Sequence, residues 1–353
     1  MYPALAVLPS LAEAGVQVLW VGGEGGMEAD LVQRTHVPYT AIPAAGLHGV
    51  GLRALPGNMM RVFKGISAAR RILKEFQPDV LFYTGGYVAG PMAVAGWKIP
   101  TLLYVPDIEP GLALKGLSKF SRCIALTAEP SRKFFANRRQ VITGYPTRPE
   151  LKGWDRVTGR KTLGLKKDGP VLLVFGGSKG ARTINRAVLA SVSEILETAQ
   201  VIHITGQLDW QEVEAARNTL SESHKERYHI YPYLHEEMGA AYASADLVVS
   251  RAGASCLGDF PLFGLPAILV PYPYAWRYQK VNAGYLVEKG AALLLEDEKM
   301  STQLFTTIRS LLADPQRLET MRTQMRRLAV PDAADRIAAL ILELGNEKKE
   351  VNQ

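Results

Sequence analysis

Cysteine is scarce in this chain: 353 residues hold two, Cys123 and Cys256, both in apolar contexts. That rules out a disulfide framework and leads us to expect reduced core thiols in a reducing compartment. Long hydrophobic runs are also missing. None reaches the ~18 residues needed to cross a bilayer, and no signal peptide is recognisable. Zinc-finger, helix-turn-helix and RNA-binding aromatic signatures are absent, which makes nucleic acid the least favoured partner. There is no Gly-x-Gly-x-x-Gly turn with a trailing acidic residue, so a nicotinamide dehydrogenase is disfavoured. The acid/base cluster of carboxylates and histidines that an epimerase would want is not visible either. One further shortage is architectural. A doubly wound domain opens with a strand that lies mid-sheet, whereas this chain opens inside a helix, so the first strand is expected to be missing.

What is present is ordinary globular material. Hydrophobic residues make up 47% and charged residues 21%, and the length suggests two domains. A net charge of +7 and a pI near 9.3 point to an anionic partner, whether a nucleotide, a lipid headgroup or, least favoured, nucleic acid. Helical and strand patterns alternate along the chain. Short apolar runs such as Thr101 to Val105, Val171 to Phe175 and Leu247 to Ser250 read as strands buried on both faces of parallel sheets. Residues 61–76 read as a helix with Val62, Phe63, Ile66, Ala69, Ile72 and Leu73 on its core face. Its flanks carry Arg61, Lys64, Arg70, Arg71 and Lys74, either as solvated charges or as a patch for an anionic membrane surface. The run from Gly144 to Pro149 suggests a domain boundary. A last amphipathic helix spans Ala333 to Leu344, and residues 346–353 read as a frayed polar tail.

The functional signals gather where strands end. After Val171 to Phe175 comes Gly176-Gly177-Ser178-Lys179-Gly180, then a helix read as one element, Ala181 to Thr198. A strand, a Gly-rich turn and a helix start together aim backbone N–H groups and a helix dipole at an anion. Further along, His203-Ile204-Thr205-Gly206, Ser250 to Ser255 and Pro271 to Asn282 also follow strands. Asp259 lies about one helical turn beyond Ser255, where a carboxylate accepts ribose hydroxyls or serves as a helix N-terminal charge. The amide of Gln279 has donors and an acceptor for sugar hydroxyls. His203 ends a strand facing the ligand side and reads as either a structural or a site residue, while His36, His48, His224 and His229 read as surface or loop.

Together these residues resemble the MurG family of glycosyltransferases. The likeness runs from Tyr2-Pro3-Ala4-Leu5-Ala6-Val7 to Pro331-Asp332-Ala333-Ala334-Asp335-Arg336. It includes Met27 to Leu31, Gly85-Gly86-Tyr87-Val88-Ala89-Gly90-Pro91, Gly176 to Arg182, Gly264 to Ala267, and Gln279 with Asn282-Ala283. The resemblance implies two Rossmann-like α/β domains facing across a cleft. Residues 1–146 with helix 333–345 would form an acceptor and membrane-side domain, and residues 147–332 a donor domain. It implies metal-independent, inverting transfer of N-acetylglucosamine from UDP-N-acetylglucosamine to a polyprenyl-linked muramoyl-pentapeptide, without a cofactor, at the cytoplasmic face of the bacterial membrane. By motif position, Ser178 and Arg148 would meet the diphosphate or donor sugar, and Leu234 or His235 the uracil. The turn Ala254, Ser255, Cys256, Leu257, Gly258 and Asp259 would cradle diphosphate and ribose. Gln279 would hold the sugar, and Asp107 stands where the family often has Asn. The family's candidate base is a His in a Gly-rich turn before the Tyr-Pro-Ala-Leu-Ala helix. No counterpart is present, so the catalytic residue stays unassigned, with the family base expected upstream of Met1. Two alternatives remain: another UDP-sugar transferase of this fold, or a UDP-sugar binder that lacks its base.

Overall fold

In the computed structural model, residues 1–26, 28–46, 55–177, 180–274 and 278–351 are described, and the chain forms two Rossmann-like α/β units. Unit 1 comprises Met1–Pro146 with Asp332–Gln353, and unit 2 comprises Thr147–Pro331.

Unit 2 is a six-stranded parallel sheet. Its strands are β7 (Val171–Phe175), β8 (Gln200–Ile204), β9 (Tyr228–Tyr231), β10 (Leu247–Ser250), β11 (Ala267–Leu269) and β12 (Ala292–Leu294). Their order is β12-β11-β10-β7-β8-β9, so the sheet reverses direction of growth at β7 and β10. Open α/β sheets bind ligands outside the carboxyl ends of strands at such a reversal. Leu172, Val174, Val201, Val249 and Ile268 are fully buried under the helices, as expected of a sheet covered on both faces. The helix expected from 181 to 198 is two helices, Arg182–Leu189 and Val192–Thr198, because the backbone leaves the helical region at Ser191 (φ −134°). The segment 254–263 is likewise divided. A 3-10 turn, Ala254–Leu257, gives way at Gly258 to a short helix, Asp259–Phe263.

Among the described residues unit 1 has six strands as well: β1 (Trp20–Gly23), β2 (Tyr39–Ile42), β3 (Leu81–Tyr83), β4 (Thr101–Val105), β5 (Cys123–Leu126) and β6 (Arg139–Ile142). Among the described residues they form two sheets, β1-β2 and β3-β4-β5-β6, each parallel. Residues 16–19 make no ladder, because pairing of β1 with β2 begins at Trp20 opposite Tyr39. The Gly85-Gly86 turn, with φ of 103° and 92°, leads into a helix, Ala89–Ala95. Glycine suits both positions, since these angles are strained for other residues.

Two expectations need correcting here. The helix Leu55–Phe76 buries Gly65 and Ala69 and half-buries Ile66, Ile72 and Leu73, but Phe63 stands 63% exposed. The tail is not frayed at 346, because the last helix continues from Ala333 to Val351. Its Glu343 pairs both carboxylate oxygens with Arg139 at 2.7 Å, and Glu347 reaches Arg122 and Arg139. Among the described residues no helix is long and apolar enough to cross a membrane. Cys123 and Cys256 are both buried as free thiols.

Candidate functional site

The residues singled out from the sequence divide between the units. Asp107 follows β4 in unit 1, half-buried at the carboxyl end of that sheet. Arg148, Leu234, His235, Ala254 to Asp259 and Gln279 belong to unit 2. Ser178 lies outside the described residues, as does His48.

Within unit 2, the Gly-rich turn closes with Gly180 N–H donating to the Gly177 carbonyl at 2.9 Å. A side chain at Gly176 would collide with Ala181, and one at Gly180 (φ +80°) with the Thr205 carbonyl. Glycine is therefore required at both ends of the turn, where it hugs the start of the helix Arg182–Leu189. That helix has orphan N–H groups at its N-terminus, which is the condition for holding an anion.

A buried polar chain fixes this helix to the end of β8. Asn185 donates both Nδ2 hydrogens, to the Thr205 carbonyl and to Asp209 Oδ2, each at 2.8 Å. Its Oδ1 must then accept from His203 Nε2, 3.0 Å away, so His203 Nδ1 accepts from the Tyr228 hydroxyl at 2.7 Å. Arg182 Nε donates to the other oxygen of Asp209 at 2.9 Å. Of the two readings of His203 its full burial fits the structural one, and burial lowers its pKa to about 3. It is therefore a neutral structural imidazole in one fixed tautomer. His229 is also reassigned: it sits half-buried on β9 rather than in a loop.

Asp259 is the most perturbed acid. It is buried beside Tyr242, which belongs to an aromatic group in which Phe175, Tyr242 and Phe260 meet edge to face at centroid separations of 5.9 to 6.1 Å. Burial raises its pKa to about 7 despite the opposing charge of Arg148 and a hydrogen bond from the Tyr242 hydroxyl at 3.5 Å. The Tyr242 phenol is in turn held far above its ordinary range by its own burial and by this carboxylate. A buried acid with a raised pKa beside an arginine at the sheet reversal is a marker of a functional site.

Gln279, second residue of the helix Tyr278–Glu288, accepts the Tyr272 N–H at its Oε1 at 2.9 Å, so toward a sugar it would serve as a donor. Asn282 on the same helix is fully buried and donates to the Ala252 carbonyl at 3.2 Å. The loop after β9 places Leu234 in the interior and leaves His235 exposed, its ring tilted at 58° against Tyr233 with centroids 4.5 Å apart. The 254–258 turn has Cys256 and Leu257 buried, and its half-exposed members are Ala254 and Ser255.

Sequence reading missed Arg251. Its guanidinium ion-pairs with Asp297, donates to Thr183 Oγ1 at 2.7 Å and to the Val270 carbonyl at 3.3 Å, and lies over the Tyr272 ring at 5.2 Å. It ties the ends of β10 and β11 to the start of the helix after the Gly-rich turn. An arginine beside Ser250 at a strand end was the available signal; its partners, 46 and 68 positions away, were not.

Comparison with known proteins fits this arrangement. Residues 1–126 match the glycosyltransferase family 28 N-terminal domain, and residues 171–337 match that family's C-terminal domain. A Desulforamulus reducens protein is 39% identical, covering 94% of this chain and 92% of its own length. A Roseiflexus protein is 36% identical, covering 97% and 91%. Both are named UDP-N-acetylglucosamine–N-acetylmuramyl-(pentapeptide) pyrophosphoryl-undecaprenol N-acetylglucosamine transferase. The crystal structure of Acinetobacter baumannii MurG aligns with a TM-score of 0.77 at 27% identity, covering 97% of this chain and 95% of that one. The chain belongs to glycosyltransferase family 28, within its MurG group.

Proposed function

We propose that this protein transfers N-acetylglucosamine from its UDP donor to the 4-hydroxyl of an undecaprenyl-diphospho-muramoyl-pentapeptide, the step from lipid I to lipid II in peptidoglycan synthesis. The observation that carries the reading is the buried carboxyl of Asp259, within the field of the half-buried Arg148 and set among the strand ends of unit 2 with the Gly-rich turn and Gln279. The relatives' names supply the substrates.

Unit 2 is the donor domain in this reading, with Asp259 accepting the ribose hydroxyls and the 254–258 turn lying along the diphosphate. Arg148 and Ser178 meet the diphosphate or the sugar, Gln279 donates to the sugar, and backbone near Leu234 or His235 reads the uracil. In the reaction the bond from the anomeric carbon to the UDP oxygen breaks as the acceptor oxygen attacks from the opposite face, which inverts that carbon. The electron pair departs on UDP, where Arg148 and the N–H groups opening the helix Arg182–Leu189 stabilise the growing charge. The acceptor proton passes to a base that this reading does not assign to any residue of the chain.

Unit 1, with Asp107 at the carboxyl end of β4, is the acceptor side. Its helix Leu55–Phe76 lies on the cytoplasmic surface of the membrane as a peripheral contact. The support is a face that exposes Arg61, Lys64, Arg70, Arg71 and Lys74 together with Met59, Met60 and Phe63.

The test is calorimetric titration with UDP-N-acetylglucosamine and UDP-glucose, followed by a transfer assay on a short-chain lipid I analogue. Saturable UDP-N-acetylglucosamine binding that weakens about tenfold or more in Gln279→Ala is expected, by the ~1.5 kcal/mol of a hydrogen bond lost. A folded protein that binds neither nucleotide sugar would overturn the reading.

A further inference from the structure

Three elements of unit 2 meet at one guanidinium. Arg251 follows β10, Thr183 is the second residue of the helix Arg182–Leu189, and Asp297 opens the 3-10 turn Asp297–Lys299 after β12. The Thr183 hydroxyl donates its one hydrogen to Asp297 Oδ1 at 2.8 Å, so it accepts from Arg251 Nη2 at 2.7 Å. Arg251 Nη1 ion-pairs with the same Oδ1, which closes a ring of hydrogen bonds through three side chains. Nη1 also donates to the Val270 carbonyl just beyond β11 at 3.3 Å.

This ring stands between two parts of the strand-end site. On one side, Thr183 sits in the first turn of a helix whose N-cap, Ala181, has no side-chain oxygen to engage the opening N–H groups. On the other, the guanidinium lies over the ring of Tyr272, whose N–H donates to Gln279 Oε1. That bond uses the amide oxygen, so Gln279 meets a sugar as a donor. Net stability does not account for the ring. The Arg251 and Asp297 side chains are 9% and 14% exposed, and at that depth desolvation offsets most of the attraction. What a planar fork supplies is direction: its donors hold partners on several elements at once. Lysine would keep the charge opposite Asp297 but concentrate it at one point.

We propose that Arg251 is a positioning residue for the donor: without touching the nucleotide sugar, its ring sets the helix start at the diphosphate and Gln279 at the sugar in one register. The proposal deepens the donor-domain reading of unit 2 and rests on it.

The test is calorimetric and NMR titration of the full chain with uridine, UDP and UDP-N-acetylglucosamine. The ratio of UDP to uridine affinity reads the grip on the diphosphate. The ratio of UDP-N-acetylglucosamine to UDP affinity reads the grip on the sugar. Arg251→Lys is expected to lower each ratio by about fivefold or more, while uridine affinity stays within about twofold of the parent. Thr183→Val, which deletes the hydroxyl and keeps the ion pair, is expected to lower the first ratio alone. Thr183→Ser is expected to restore it, and this pair decides the matter where Arg251→Lys does not fold. Parental ratios in a folded Arg251→Lys protein would overturn the proposal. So would an equal fall in affinity for all three ligands, the mark of a loosened domain, or a serine variant no better than the valine one. A folded parent that binds none of the three would instead overturn the donor reading, and the proposal with it.

Discussion

Asp259 illustrates a residue whose place in the fold costs stability. Its carboxyl has a pKa of about 7 in the native state against an ordinary value of 3.8. Between those values the native state holds a proton that the unfolded state has released. The contribution of Asp259 to stability is therefore greatest below about pH 4, falls as pH rises, and has lost about 4 kcal/mol above pH 7. This is opposite to the usual ion-paired aspartate, because burial outweighs the charge of Arg148 and the hydrogen bond from Tyr242. Asp259→Asn removes the titration. Chemical denaturation at pH 8 is expected to find the variant more stable than the parent, by up to about 4 kcal/mol, with the two converging near pH 4. In the same variant UDP affinity is expected to fall, since an amide replaces a carboxylate that accepts two ribose hydroxyls. A variant no more stable at pH 8 would mean that Asp259 ionises in the native state without this desolvation cost.

Elements were more legible than their surroundings. Thr101–Val105, Val171–Phe175 and Leu247–Ser250 are strands at the residues expected, because unbroken apolar runs between turn signals are what a doubly covered parallel strand looks like. Pattern reading fails where a partner lies far along the chain. The role of His203 is fixed by Asn185 and Tyr228, 18 and 25 positions away, and its spacing alone resembles that of a ligand-facing residue. The candidate site was legible as a set of strand ends, while the burial of Asp259 and the clamp of Arg251 needed the fold. The helix Leu55–Phe76 shows the complementary failure: periodicity identifies an apolar face but not how much of it is covered, and Phe63 remains outside. That exposure makes the membrane reading specific. Charge reversal at Arg70, Arg71 and Lys74 replaces three attractions to anionic lipid, each worth about 1 kcal/mol, by repulsions. Sedimentation with vesicles containing anionic lipid is expected to show about a hundredfold or greater loss of binding, and Phe63→Ser a smaller loss that salt does not change. Unchanged vesicle binding after charge reversal would assign those residues to solvated surface alone.

At the scale of the molecule, unit 2 is inserted into unit 1, because the last helix, after Pro331, returns to the first unit. Ser10 of the opening helix donates to Asp335 at 2.6 Å across 325 positions of sequence. Charged pairs and an apolar face both hold this helix, and magnitudes decide between them. The pairs of Arg139 with Glu343 and Glu347 and of Arg122 with Glu347 are substantially exposed, and such pairs contribute only about 0.2–1 kcal/mol each. Beneath them Ile337, Ala338, Leu340, Ile341 and Leu344 are buried. Removing a fully buried leucine side chain costs about 2–5 kcal/mol. Leu344→Ala is therefore expected to destabilise unit 1 by that amount, while Glu343→Gln costs less than about 1 kcal/mol. Because the returning helix is part of unit 1, hydrogen exchange in Leu344→Ala should accelerate at β4, β5 and β6 and stay at parental rates in β7, β8 and β10. Equal losses of stability from the two substitutions would show that the charged pairs, not the apolar face, fasten the returning helix.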